Sequence, residues 1–319
     1  MTFAHFGPML DSGAGKRTAA PGILSDREVP KALGLPYTRS GKGATMAIIC
    51  IAREFAALGD ETVQELAQLT GYRSLDKDYI ETRMGESGIT PEMRATYDEK
   101  RPGFFASLSQ DRDDYLHFLK TIMLEEAARG DCIISGRGGF AIFADVPGTI
   151  SVRLVAPESV RLERIKARFH CDDRRAEQML HQNDRDRKGF HDYFFGLDWS
   201  NPNLYDMTIN TGKEHPATVA RIIDQLRQLI ITPEREKASL ERISELGRGH
   251  AIVTEIVYTR RIPVHFLEAD VRSGTVTLHG VANSQSAIDS AGQAARSMAG
   301  QADVRSEERR VGKECRSRW

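Results

Sequence analysis

The stretch MAIICIAREFAALGDETVQELAQLTGY, residues 46–72, decides the fold. An apolar run (Ile48, Ile49, Ile51) breaks into a loop of small residues, and apolar positions then recur at helical spacing (Val63, Leu66, Ala67, Leu69). Strand, tight loop and helix in that order are how α/β domains present backbone amides to phosphate. The usual pattern, Gly-x-x-x-x-Gly-Lys-[Ser/Thr], is not met. Leu58-Gly59-Asp60 stands where it should close, with Gly59 at the lysine position.

The same grammar repeats downstream. A short segment at 72–75 closes on Asp76-Lys77-Asp78. Residues 81–110 are polar and broken by Gly and Pro, with a helix expected near 91–100. The spacing of Tyr115, Phe118, Leu119, Ile122, Met123 and Ala127 predicts a helix over 111–129, stopped by Gly130. Strands follow in DCIISGRGG and TISVRLVAPE, then a helix over 157–168, a charged helix-and-loop region over 172–196, a strand in YDMTINTG and a helix over 216–231. Strands alternating with helices predict an α/β fold with a parallel sheet flanked by helices. Ligands in such sheets sit beyond the carboxyl ends of the strands. Those ends are Arg53–Asp60, Asp76–Asp78, Gly136–Gly139, Ala156–Glu158 and Thr211-Gly212.

Past Ile231 the character changes. Residues 233–247 read as a charged helical linker, and 248–304 as a small α+β domain. Its EADVRSGTVTLHG predicts a hairpin turning at Ser273-Gly274, and a helix follows over 284–299. The last stretch, RSEERRVGKECRSRW (305–319), is what one reading frame of a common sequencing adapter encodes, so it is expected to be an assembly artefact. The first 45 residues, rich in Gly, Pro, Ser and Thr, read as a disordered tail, with Met46 as an alternative start. Their SGAGKRT is a decoy: Arg17 stands where a Ser or Thr should be, and no strand precedes it.

A chain of 319 residues fits about two domains, and a formal net charge of -1 gives no sign of nucleic-acid binding. No window of 18 unbroken apolar residues and no N-terminal h-region is found, so a cytoplasmic, non-transmembrane protein is expected. Cys50 and Cys132 lie in apolar runs, Cys171 is isolated, and none makes a metal spacing. His170-Cys171-Asp172-Asp173 lacks a second ligand pair. The aromatic cluster Phe190, Tyr193, Phe194, Phe195 and Trp199 reads first as core.

Three segments carry a resemblance: IAREF…ETVQELAQLTGYRSLDKDYI, CIISGRGGFAIFADVPGTISVRLVAPESVRLERI and NDRDRKGFHDYFFGLDWSNPNLYDMTINTG. In order and spacing they resemble the cytidylate-kinase-like family of nucleoside monophosphate kinases, over residues 46–232. VRSGTVTLHGVANSQSAIDSAGQAARSMAGQADV resembles a BON domain, a family linked to phospholipid or other ligand binding. The first resemblance implies a P-loop kinase-like sheet and ATP with Mg2+ as cofactors. It also implies a nucleotide substrate, with CMP the candidate acceptor. The family's loop is commonly Ser-Arg-Glu-Tyr-Gly-Ser-Gly-Gly, so the missing lysine is a family habit. Arg53 and Glu54 match its opening, Gly59 its last glycine, and Thr62 lies near the magnesium position. Asp76 matches an acidic position after the second strand. Arg137 matches the arginine that holds the acceptor, although Gly138 stands where an Asp follows it. Arg185 and Arg187 match the lid arginines, to which catalysis is ascribed.

Departures from the family pattern leave two readings. Ala56 and Leu58 replace loop glycines, and a leucine at positive φ costs about 1–2 kcal/mol. Asp60 and Glu61 suit the helix dipole but repel phosphate. The chain is then either a monophosphate kinase with a degenerate loop, or a binding module that has lost catalysis. In the second case the BON-like domain would attach to a phospholipid or protein ligand.

Overall fold

The computed structural model describes residues 46–86, 110–299 and 303–308. The SGAGKRT decoy, the helix expected near 91–100 and most of the adapter-like stretch lie outside the described residues.

The first sheet has five parallel strands in the order β2-β3-β1-β4-β5. They are β1 (Ile48–Arg53), β2 (Arg73–Leu75), β3 (Cys132–Ser135), β4 (Thr149–Val155) and β5 (Met207–Asn210). Central β1 explains its unbroken apolar run. Ile48, Cys50 and Ala52 enter one core, and Ile49 and Ile51 the other. Helices α1 (Gly59–Thr70) and α7 (Pro216–Ile230) cover one face. Helix α3 (Gln110–Ala128) and part of α6 (Asp173–Phe195) cover the other. The short α4 (Gly139–Ile142) and α5 (Glu158–Phe169) follow β3 and β4.

Two elements differ from the sequence expectation. Helix α2 (Lys77–Glu86) occupies part of the segment read as a broken loop. It buries only Ile80 and Met84, so its apolar period was too sparse to register. The charged region 172–196 contains one helix, α6, from Asp173 to Phe195, begun by the Asp172 carboxylate accepting from the Arg175 amide at 2.8 Å.

The second sheet contains β6 (Val264–Arg272), β7 (Thr275–Ala282) and β8 (Asp303–Glu308). Ser273 and Gly274, with φ of 47° and 79°, turn the β6–β7 hairpin. Strand β8 runs parallel to β7 and passes the boundary read at Val304, because the ladder uses backbone up to Gly280 opposite Glu308. Helix α9 (Gln285–Ala299) packs Ala291, Ala294 and Ala295 into this sheet's core. No described helix is long and apolar enough to cross a membrane.

Helix α8 (Pro233–Val253), continued by a π turn over Thr254–Thr259, serves both units. Residues 233–247, read as a helical linker, include Ile243 in the core of the first sheet, and Ile252 farther along belongs to that of the second. Gly249 lets β6 come close: a Cβ there would lie 2.2 Å from the Ala269 carbonyl oxygen. Buried Arg242 donates to Asp145 at 2.7 Å and to the Val271 carbonyl at 3.1 Å. Between α3 and α8, His117 meets the Thr254 hydroxyl at 2.9 Å and stacks on His250 and Tyr258. The Tyr258 hydroxyl donates to Asp114 at 2.7 Å.

Burial, with Lys120 adding, pushes His117 down to about 3. His250 is also lowered, by burial and then by His117 and Lys120. In the unfolded chain an imidazole protonates below about 6.5. Unfolding therefore takes up a proton at His117 between that value and about 3. The contribution is present above pH 6.5 and is lost as pH falls, by about 1.4 kcal/mol per unit. Urea unfolding from pH 7 to 5 should show this loss, and His117→Asn should flatten it. An equal slope in the variant would remove His117 from the account.

Candidate phosphate site

Beyond Arg53 the chain turns through residues 54–58 and enters α1 at Gly59. Leu58 has φ 55° and Ala56 φ 60°, so both adopt the left-handed conformation. The sequence reading placed the strain on Leu58; Ala56 carries it too. The cost is about 1–2 kcal/mol for each.

The loop's carbonyls are tied to the scaffold. Arg164 donates to Ala56 O at 3.1 Å and to Thr211 O at 2.7 Å, while the Thr211 hydroxyl donates to Ala57 O at 3.0 Å. The Phe55 amide donates to Asp184 at 3.3 Å, and Asp184 also accepts from Arg161 at 2.6 Å. Burial pushes the Arg164 guanidinium down, with Glu61 acting the other way. Among the described residues, the amides of Ala56, Leu58, Gly59, Asp60 and Glu61 have no hydrogen-bond partner. Free amides at a helix N-terminus form an anion-binding concavity.

Beside the loop lies a small cleft, with room for about a water-sized group, lined by Arg53, Gly136, Arg137, Phe140, Arg187, Phe190 and Trp199, among others. Arg137 follows β3 with φ 50° and is buried. It pairs with Glu81 of α2, and its guanidinium carbon lies 5.7 Å from the Phe190 ring centroid. Arg187 of α6 sits over Phe55 at 5.6 Å. Arg53 pairs with Asp60 at 3.2 Å.

The other sequence candidates fall elsewhere. Glu54 anchors the loop, accepting from Arg153 at 3.0 Å and from the Ala156 amide at 3.2 Å. Thr62 is fully buried, and its hydroxyl donates to Leu58 O at 2.7 Å, so it does not fit a magnesium ligand. Asp76 is exposed and caps α2 through the Tyr79 amide at 2.8 Å. Arg185 is exposed, donates to Gln182 at 2.9 Å, and does not line the cleft. At Gly138 a Cβ would lie 2.2 Å from the Phe195 ring, so an Asp cannot stand there without moving Phe195. Sequence reading missed Glu81, Arg161 and Arg164. The last two are three residues apart on α5, but nothing in that spacing says they face the loop.

Residues 48–213 match the cytidylate kinase-like family, and residues 250–307 match the BON domain. A search of the curated proteins finds no match. An uncharacterized protein from Eubacterium ventriosum ATCC 27560 aligns with TM-score 0.47 and 21% identity, over 58% of this chain and 99% of that one. Shikimate kinase from Acinetobacter baumannii, in complex with shikimate, aligns with TM-score 0.33 and 20% identity over 57% and 93%. A gluconokinase from Sinorhizobium meliloti 1021 gives TM-score 0.35 and 15% identity over 59% and 95%.

The left-handed alanine gives a direct test of the loop. Ala56→Gly removes the Cβ strain but adds unfolded-state entropy, for a net gain of about 0.5–1 kcal/mol. Chemical denaturation should read a raised midpoint; a loss of stability would mean that Ala56 is not left-handed in solution.

Proposed function

Because the chain belongs to the cytidylate kinase-like family, we propose that its first domain, residues 46–232, is an ATP-dependent phosphotransferase with a nucleoside monophosphate acceptor, CMP first among them. The observation that carries the reading is the loop. Among the described residues the amides of Ala56, Leu58, Gly59, Asp60 and Glu61 have no partner, beside a pocket that Arg53, Arg137 and Arg187 help to line, and Ala56 and Leu58 hold strained backbone there.

Transfer of a phosphoryl group asks the protein mainly for positioning and positive charge. The loop amides are the proposed hold on the donor phosphates. Arg137 takes the acceptor phosphate in exchange for Glu81, its partner now. An acceptor phosphate oxygen then attacks the γ-phosphorus, the bond to the β–γ bridging oxygen breaks, and ADP leaves. Arg187, across the cleft, offsets the charge of the transferring group. Arg185 joins it only if α6 moves, and Glu54 and Asp76 support loop and helix. The loop supplies magnesium with no hydroxyl, so the ion is assigned no ligand from Thr62.

That same hydroxyl favours a second reading. With Thr62 spent inside the helix and Asp60 and Glu61 in its first turn, nucleotide would be held without turnover. The domain of residues 248–304 would then supply attachment to a phospholipid or protein partner.

An ADP-release assay with ATP, Mg2+ and CMP, UMP or dCMP separates the two. Acceptor-dependent release is expected, and ATP binding without release would establish the second reading in its place. Arg137→Ala should weaken acceptor affinity by about 1–3 kcal/mol. An unchanged acceptor isotherm for that variant removes Arg137 from the acceptor site.

A further inference from the structure

The loop has lost its lysine but not its cation: we infer that Arg53, reaching in from the end of β1, fills the lysine's place. The inference rests on the reading that the loop binds nucleotide phosphates, and it names the group that supplies the loop's own charge. A Cβ at Gly59 would lie 2.5 Å from Arg53 Cγ and 2.9 Å from both its Cβ and Cδ. The methylenes of Arg53 therefore fill the volume in which a lysine at position 59 would begin. Farther out, Arg53 Nη1 would lie 2.5 Å from a Cβ at Gly136, and Nη2 lies 3.2 Å from Asp60 Oδ1.

The guanidinium thus spans from the turn after β3 to the first turn of α1. Its side chain is 15% exposed and lines the cleft with Arg137 and Arg187. Gly59 is the position cleared for it, while Gly136, left-handed at φ 78° and so a glycine on backbone grounds alone, also leaves room for Nη1. A lysine at 59 and an arginine at 53 exclude one another, so glycine at 59 follows from the arginine. Asp60, 65% exposed, is the anion that holds Arg53 when no phosphate is present. Water reaches the carboxylate end of this pair and weakens it, so a triphosphate can take the arginine from it. The planar fork of a guanidinium suits phosphate oxygens better than a point charge would.

The test is calorimetric titration of the full chain with MgATP and, separately, with pyrophosphate. Arg53→Met should weaken both by about 10- to 100-fold, the scale of a lost charged hydrogen bond. Asp60→Asn should tighten both by about two- to fivefold, by freeing Arg53. Gly59→Lys should bind more weakly than the parent, because it displaces Arg53. Parent-like affinity in Arg53→Met, or tighter binding by Gly59→Lys, overturns the inference and leaves the nucleotide reading standing. No binding of either probe by the parent defeats both. If Arg53→Met does not fold, exposed Asp60 decides, since unchanged or weaker binding by Asp60→Asn also overturns it.

Discussion

The loop between β1 and α1 is open because it is tied from behind. Arg164 and the Thr211 hydroxyl take its carbonyls, Asp184 takes the Phe55 amide, and Glu54 is pinned to the end of β4. These groups come from α5, α6, the end of β4 and the residue after β5, so the β4–β5 side of the sheet's carboxyl edge converges on one turn. The ion pairs behind it are sparingly exposed, with Arg161 at 9% and Asp184 at 27%. Removing one partner of such a pair leaves a charge that water reaches poorly, which is why loss of half a buried pair costs several kcal/mol. That support is what allows Ala56 and Leu58 to stay left-handed against their own preference.

The front of the loop carries the opposite arrangement. Arg53 has Asp60, Arg137 has Glu81 and the Phe190 face, and Arg187 has the Phe55 face. Each cation rests on a carboxylate or a ring, so their mutual repulsion is offset before any ligand arrives. A ligand rich in negative oxygen can replace these partners one at a time. The positive charge is thus a local arrangement of three arginines, since the chain's formal net charge is only -1.

The sheet was legible in the sequence because β1, β3 and β4 are buried on both faces and so write themselves as apolar runs. Helix α7 was legible from its single apolar stripe, and α3 from the three- and four-residue steps of its apolar side chains. What escaped was polar. Helix α2 buries only Ile80 and Met84, and much of α6 faces water, so neither carried a period strong enough to outline a helix. Within the site, Arg137 was legible from its place at a strand's carboxyl end, whereas Arg187 was singled out by the family resemblance alone. Thr62 could not be excluded, because a hydroxyl that donates to the carbonyl four residues back looks the same in sequence as one that faces the loop. The role of Gly59 was hidden for a different reason: what excludes a side chain there is Arg53, six residues earlier, folded back across the turn.

The second domain is more than a tethered appendage. Helix α8 gives residues to both cores, and Arg242 joins Asp145 of the first unit to the Val271 carbonyl of the second. The seam also abuts the cleft. Helix α3 carries Asp114 and His117, which hold Tyr258, and between them Tyr115, whose ring packs on Phe194 at 5.2 Å. Phe194 in turn packs on Phe190 at 4.9 Å, and Phe190 lies beneath Arg137. Tyr115, Phe194 and Phe190 therefore form a row of three rings from α3 to the guanidinium that faces Glu81, while Asp114 and His117, on either side of Tyr115 in the chain, serve the seam. One helix, α3, thus holds Tyr258 of the seam through Asp114 and His117 and, through Tyr115, backs the rings on which the Glu81-paired Arg137 rests.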